Sequence, residues 1–371
     1  MRCGAWFLAL FLCFLSVFPL PLAAADGDTA TLLFAGDVLL HRTARESGAI
    51  PGGGYRYDHL FSHVQREIAA ADLAVINQET LSAGEAFGLS GYPCFNAPFA
   101  LADAIAGAGF RAVLLANNHA LDRGAEGLLA CRRYYTEHFP SVTVCGVTES
   151  EAEEREIPVF SLGNIRVAIL NYTYGTNGIP LPDNRPFLVH LLTPERARRE
   201  IAAARQIADF VVVCPHWGTE YQGEPDSEQV SYAALFAEAG ADLVVGTHPH
   251  VIQPIAWLDG KEGHRTLVYY SLGNFVSAAM VSEAGAGERL LGGMAKIRLQ
   301  KKNGTTEIAE SSVIPIVTQV GTSPPRVTVY PFSEYTPAMA EENWFFGRDS
   351  RFSFAACRRR FSIVFRGFLP A

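Results

Sequence analysis

Short apolar runs recur along the chain at 31–35, 72–76, 111–116, 142–144, 165–172, 209–214, 241–245 and 266–271. Runs of this length, rich in Val, Ile and Leu and bounded by Gly, Asn or Asp, read as buried strands. Between many of them the apolar residues fall at helical spacing instead. The stretch 57–71 shows it through Leu60, Val64 and Ile68, and 100–109, 127–138, 193–208 and 227–240 read as further helices. Gly109 and Gly240 stop two of these, and Thr193-Pro194 starts another as N-cap and first-turn proline. Strands alternating with helices predict an α/β fold. Later, 293–300 and 307–317 alternate as sheet strands do, with Asn303-Gly304 as the hairpin turn.

The flanks and loops break these rhythms. Arg2 precedes a nearly unbroken apolar stretch at 5–22, and Ala23-Ala24-Ala25 offers a cleavage site before Asp26. Residues 1–25 are therefore expected to direct export, as a signal peptide or as an N-terminal membrane anchor. No Cys follows the small residues to signal lipid attachment. Residues 26–332 form the main domain, and 333–371 a C-terminal extension rich in aromatic and basic residues (Trp344, Phe345, Phe346, Arg358, Arg359, Arg360). That extension reads as a capping helix, a partner surface or a loosely packed tail. Loops at 82–98 and 177–186 are long enough to form a rim, whereas the acidic stretch 149–156 reads as solvated surface.

Composition narrows the choice of partners. A chain of 371 residues with 49% hydrophobic and 18% charged positions is globular, with one large or two medium domains. A net charge of -8 gives no reason to expect nucleic acid. An anionic substrate stays open, because a bound cation overrides the global field locally. Of seven cysteines, Cys3 and Cys13 fall in the leader, which leaves an odd number. Cys131 and Cys145 could pair in an oxidising compartment, and Cys214 reads as a small buried hydrophobe. No C-x-x-C pair suggests a zinc–thiolate site.

The chemistry gathers where strands end. The run 241–245 leads into Gly246-Thr247-His248-Pro249-His250. In extended backbone, residues i and i+2 share a side, so both imidazoles can meet one point at the strand's carboxyl end. Open α/β sheets hold ligands there, and a metal suits two imidazoles; the bland alternative is a pair of loop histidines. Asp37 follows the first strand, as a site group or a helix cap. Glu79, Asn118-His119 and His216 follow later strands. One di-metal centre would explain this order. Asp37, Glu79 and His250 would hold one ion; Glu79, Asn118, His216 and His248 would hold the second, with Glu79 bridging. Two ions about 3.5–4 Å apart can activate a bridging water and clamp a phosphoryl oxygen. Mixed oxygen and nitrogen ligands favour Mn, Fe or Zn.

Six motifs appear together: Gly36-Asp37, Asn77-Gln78-Glu79-Thr80, Ala116-Asn117-Asn118-His119-Ala120-Leu121-Asp122, His216-Trp217-Gly218-Thr219-Glu220, Gly246-Thr247-His248-Pro249-His250 and Ser271-Leu272-Gly273-Asn274-Phe275. In this order, over about residues 31–275, the chain resembles the CapA family of poly-gamma-glutamate capsule synthesis, within the calcineurin-like metallophosphoesterase superfamily. The resemblance implies a four-layer α/β/β/α metallophosphatase-like sandwich of two mixed sheets. It implies divalent metal, two ions, on Asp37, Glu79, Asn118, His216, His248 and His250. His119 would act as general acid and Arg42 as an anion anchor, with His41, Asn117, Trp217 and Asn274 contacting substrate. Position 39 is Leu where the superfamily's phosphoesterases carry His, and Glu79 stands where they use Asp.

Two functions follow from the resemblance. One is an exported, metal-dependent hydrolase of a phosphoester or amide, working in poly-gamma-glutamate synthesis or export. The other is a non-catalytic component that binds metal and polyanion within a cell-envelope assembly. The implied partners are an anionic polymer or phosphorylated substrate and membrane-bound capsule synthesis proteins.

Overall fold

Neighbouring side chains on the central strands serve different cores, and this sorts the chain into layers. A computed structural model describes residues 28–322 and 325–370. The expected leader, with Cys3 and Cys13, lies outside the described residues. Among the described residues no helix is long and apolar enough to cross a membrane.

Eight strands form the first sheet: β1 (Thr29–Leu39), β2 (Leu73–Asn77), β3 (Ala112–Leu114), β4 (Thr143–Cys145), β11 (Asn274–Ser277), β12 (Leu291–Lys302), β13 (Thr305–Thr322) and β14 (Pro325–Pro331). Their order is β14-β13-β12-β1-β2-β3-β4, and β11 pairs with β1 off this path. Strands β1 to β4 run parallel, and β12, β13 and β14 are antiparallel. The second sheet orders β5 (Val159–Leu162), β6 (Ile165–Thr173), β7 (Phe210–His216), β8 (Leu243–Val245), β10 (Arg265–Tyr269) and β9 (Ile255–Asp259). Its four middle strands are parallel, and β5 and β9 close it as antiparallel edges.

On β6 and β7, Ile165, Val167, Ile169, Phe210, Val212 and Cys214 pack into the main core with the first sheet. Their neighbours Ala168, Leu170, Tyr172, Val211 and Val213 pack into a second core. That core is closed by Ala197, Ile201 and Ala204 of one helix and Ala233 and Phe236 of another. These are α6 (Pro194–Ile207) and α7 (Ser227–Ala239), following the short α1 (Arg42–Glu46), α2 (Gln65–Ala69), α3 (Ala100–Ala108), α4 (Gly124–His138) and α5 (Glu151–Glu154). The crossovers through α3 and α4 cover the outer face of the first sheet. The result is the four-layer α/β/β/α sandwich of two mixed sheets. Period-two burial on the strands is its cause: each sheet is apolar on both faces and must be covered twice.

Local chemistry sets several boundaries as expected. Thr193 caps α6 by accepting from Arg196 N, with Pro194 in the first turn. Asp226 and Gln229 make a reciprocal capping box at the start of α7, and Gly240 ends it in the left-handed region. Asn303 and Gly304 (φ 52° and 82°) make the β12–β13 turn. Other expectations need correcting. The stretch 57–71 is a 3-10 turn at Asp58–Leu60 and then α2, not one helix. Leu60, Val64 and Ile68 are buried all the same, because successive tight turns present much the same three- and four-residue spacing as a helix. Cys131 and Cys145 are free thiols. Gln78 Nε2 donates to Cys131 Sγ at 3.8 Å, and burial pushes both thiols up to about 12. From Ser333 the chain folds back through α8 (Pro337–Glu342) and α9 (Phe354–Val364). Phe345, Phe352, Phe361 and Phe365 bury in the main core, so this segment is a packed cap rather than a loose tail.

Candidate metal centre

The carboxyl ends of β1, β2, β3, β7 and β8 meet at one place. Gly36 lets β1 arrive there: a Cβ at this position would lie 1.9 Å from the Gly273 carbonyl oxygen. With that space open, Asp37 N donates to Gly273 O at 3.1 Å, and β1 exchanges β12 for β11 as its neighbour.

Glu79 lies at the middle. Its side chain is fully buried, and neither carboxylate oxygen has a hydrogen-bond partner. Three imidazoles face Glu79 Oε1 instead: His250 Nε2 at 3.6 Å, His216 Nε2 at 3.7 Å and His119 Nε2 at 4.0 Å. Potential ligand atoms of Glu79, His248 and His250 all lie within 4.8 Å of one another, and so do those of Asp37, Glu79 and His216. Glu79 belongs to both groups, as a bridging role requires. Asp37, Glu79 and His250, expected together from sequence, are also in contact, with Asp37 Oδ2 3.1 Å from His250 Nδ1. His248 Nδ1 is also buried without a partner.

The surrounding groups fix the ligands. Asp37 Oδ1 accepts from Asn77 Nδ2 at 2.7 Å, and Asp37 Oδ2 lies 3.1 Å from His250 Nδ1. Asn274 Oδ1 is 3.1 Å from the same Nδ1, and Asn274 Nδ2 donates to the His250 carbonyl at 3.1 Å. His216 is held by Thr247 Oγ1 at Nδ1 and by Asn118 Oδ1 at Nε2, both at 2.9 Å. Neighbours that orient a ligand's second nitrogen are the usual support of a metal site.

His119 is set differently. Its Nδ1 lies 2.8 Å from Asp122 Oδ2, and its ring packs edge-on to Phe95 with centroids 4.7 Å apart. Asp122 also accepts from Phe95 N at 2.6 Å. The dyad leaves His119 Nε2 turned toward Glu79.

The electrostatics match a site built around cations. Burial raises the Glu79 carboxyl well above the usual range; His250 opposes this, while Asp37, Glu220 and Asp122 add to it. Burial, then the neighbouring imidazoles, hold His216 and His248 well below their ordinary value, in the neutral form that binds metal. His250 is pulled down by burial, but Glu79 and Asp37 outweigh this and raise it to about 9. A buried carboxylate with no donor costs several kcal/mol. A divalent ion would satisfy Glu79, His248 and the rest together, so the donor set fits such an ion.

The histidine pair meets for a different reason from the one sequence suggests. His248 and His250 are not extended: their φ angles are 101° and 58°. Two left-handed residues fold the segment back and bring the rings to 5.7 Å. Non-glycine residues in this region carry about 1–3 kcal/mol of strain each.

The remaining sequence candidates divide. Asn117 secures its loop, donating to Gln78 O at 3.0 Å and accepting from His119 N at 3.1 Å. Trp217 does not reach the site. It is buried in the second core and donates to Tyr270 O at 2.9 Å, because it follows His216 on a strand end and points the opposite way. Arg42 is exposed and paired with Glu46 at 2.7 Å. His41 lines the cavity beside the site. It packs on Phe95, centroids 5.2 Å apart, and burial pushes it to about 4. The sequence reading missed Asn77, Asp122, Asn177 and Thr247 as site residues. Asp122, three residues after His119 in a turn, was the one with a usable signal. Asn177, at φ 52°, comes from the loop expected as rim and accepts from Asn118 Nδ2 at 3.1 Å, with its own Nδ2 3.5 Å from His119 Nδ1.

Comparison with known proteins gives the family and the fold. The family described as "Bacterial capsule synthesis protein PGA_cap" matches residues 31–279. The PGA biosynthesis protein CapA of Bacillus subtilis (strain 168) is 35% identical over 162 residues, which are 43% of this chain and 41% of that protein. The capsule biosynthesis protein CapA of Bacillus anthracis is 29% identical over 271 residues, 69% of this chain and 62% of that protein. The chain thus spans less than two thirds of either relative. Among solved structures, a candidate 5'-nucleotidase from Staphylococcus aureus in complex with alpha-ketoglutarate superposes with a TM-score of 0.50 at 15% identity. The match covers 77% of this chain and 54% of that one, and it shows the metallophosphatase-like fold alone.

Proposed function

Since the chain belongs to the bacterial capsule synthesis family PGA_cap, we propose that it works in the synthesis or export of a poly-gamma-glutamate capsule, outside the cytoplasm. Its metal centre would serve as a hydrolase site for a phosphoester or amide. The partners are the anionic polymer or a phosphorylated substrate, together with membrane-bound capsule synthesis proteins. One observation carries the site: Glu79 is fully buried, with both oxygens unpaired and three imidazoles around it.

Asp37, Glu79, Asn118, His216, His248 and His250 would hold two divalent ions, Mn, Fe or Zn. Such ions lower the pKa of water and polarise a phosphoryl or carbonyl oxygen. The chain's own groups do the rest. Asp122 holds His119 by Nδ1, so that Nε2 faces the centre and can protonate the leaving group. Asn274 and Asp37 fix the His250 ring, and Thr247 fixes His216. The near-complete burial of these ligands excludes bulk water.

The test is elemental analysis of the protein beside a His248→Ala/His250→Ala variant, followed by hydrolysis assays with and without chelator. Two ions per chain, lost in the variant, and chelator-sensitive turnover are expected. No metal in either protein after Mn or Zn is supplied would sink the mechanism.

A further inference from the structure

A cavity of about 560 Å³ adjoins the metal centre, walled by His41, Arg42, Arg45, Tyr92, Tyr221 and Arg289. Tyr221 links the two, its ring centroid 6.0 Å from that of His250. The Arg289 guanidinium carbon lies 3.7 Å from the centre of the Tyr221 ring. Asn274 Nδ2 donates both to the Arg289 carbonyl at 2.9 Å and to the His250 carbonyl at 3.1 Å. The backbone of Arg289 is thereby tied to a candidate metal ligand.

The other cations of the cavity lack this aromatic and backbone anchoring. Arg42 and Arg45 both lie against Glu46, at 2.7 and 4.0 Å. Burial pushes His41 to about 4, so it is uncharged at neutral pH. Arg289 is mostly shielded, with 15% of its side chain exposed. A guanidinium with one face on an aromatic ring keeps its N–H edge for planar, two-point recognition of a carboxylate. Here Glu283, more than half exposed on the loop before Arg289, occupies that edge. A glutamate carboxylate already fills the position that a glutamyl polymer would present.

We propose that Arg289, stacked on Tyr221, is a carboxylate subsite for the free α-carboxylate of a γ-linked glutamyl unit of the polymer, and that Glu283 fills it until the polymer displaces it. This rests on the capsule-polymer reading above. It makes Arg289 a specificity residue beside the metal centre, with an internal competitor that an incoming acidic chain must replace.

The experiment measures binding of a short γ-linked glutamate oligomer to manganese-loaded protein, with manganese content read on the same samples. Its methyl ester serves as control and inorganic phosphate as competitor. Arg289→Gln is expected to weaken oligomer binding at least about tenfold, and Arg289→Lys less, since it keeps charge but loses the planar fork. Glu283→Gln is expected to strengthen binding about threefold, because Glu283 is more than half exposed and solvent weakens its hold on Arg289. The ester binds poorly to all, and manganese content is the same in all. A gain in Glu283→Gln cannot come from misfolding, so the proposal stays testable if Arg289 variants fold badly. Equal binding by wild type and Arg289→Gln would overturn the subsite alone. Loss of binding in Glu283→Gln would overturn the displacement. Phosphate that competes in wild type but not in Arg289→Gln would reassign the subsite to a phosphoanion. No oligomer binding by manganese-loaded wild type would remove the polymer reading together with the subsite.

Discussion

The two ends of the parallel strands treat their acids in opposite ways. At the amino ends of β2, β7 and β8 stand Asp72, Asp209 and Asp242. Each accepts a backbone N–H from the adjacent strand: Thr31 N at 2.8 Å, Arg166 N at 2.8 Å and Val211 N at 2.7 Å. Asp242 is buried, and Arg205 at 3.0 Å and His264 at 3.7 Å attend it as well. At the carboxyl end of β2, Glu79 is buried more deeply and has no donor at all. Burial raises both carboxyls, but at Asp242 the Val211 N–H and Arg205 push back. Acids at the first end join strands; at the second, Asp37 also has donors, and Glu79 alone of the two is left without one. Asp242 and Glu79 are both buried carboxylates, so the difference between these two lies in which partners the backbone supplies.

Substitutions can break this comparison. The largest effect is expected from Glu79→Ala, which should abolish metal binding by elemental analysis. It should leave the metal-free chain equally or more stable in a thermal melt, since an unpaired buried charge is removed. A variant that kept its metal would place Glu79 with the joining acids. Next, His119→Ala should retain metal but reduce turnover by about 100- to 10,000-fold, the range of general acid catalysis. Asp122→Asn should cost less, because it removes only the group that orients His119.

Metal affinity sharpens the contrast through pH. His250 is raised to about 9 in the metal-free protein, so a proton must leave before a metal binds. Affinity should climb by up to about tenfold per pH unit below that value and level off above it, as measured by competition with a chelator. A flat profile would mean that His250 is not a ligand. The smallest effect is expected at the other end of the sheet. Asp242→Asn should lose about 1–3 kcal/mol of stability in denaturant titration and leave metal content unchanged.

Much of this was legible along the chain. Strands and helices followed from periodicity, because each strand buries alternate residues against different layers. The site groups were visible because they stand two to five residues past an apolar run, although β1 and β7 run on to include Asp37 and His216. Where sequence failed, the reason is contact between distant segments. Asn77 and Thr247 gain their roles from Asp37 and His216, at 2.7 and 2.9 Å across the fold. Trp217, expected to contact substrate, is turned by strand alternation toward Phe236 of α7. Arg289 carries no local signal, since its meaning comes from Tyr221, Glu283 and Asn274.

The sequence by itself determined the α/β alternation, the buried character of the central strands and the list of metal-capable side chains. It could do so because periodicity and strand-end position are local properties of the chain. The tertiary structure alone decided that the two histidines meet through left-handed turns and that Cys131 and Cys145 stay apart. It also decided that the last forty residues cap the core and that Glu79 is left without a donor. Each of these depends on what distant backbone supplies or withholds, and no stretch of sequence carries that information.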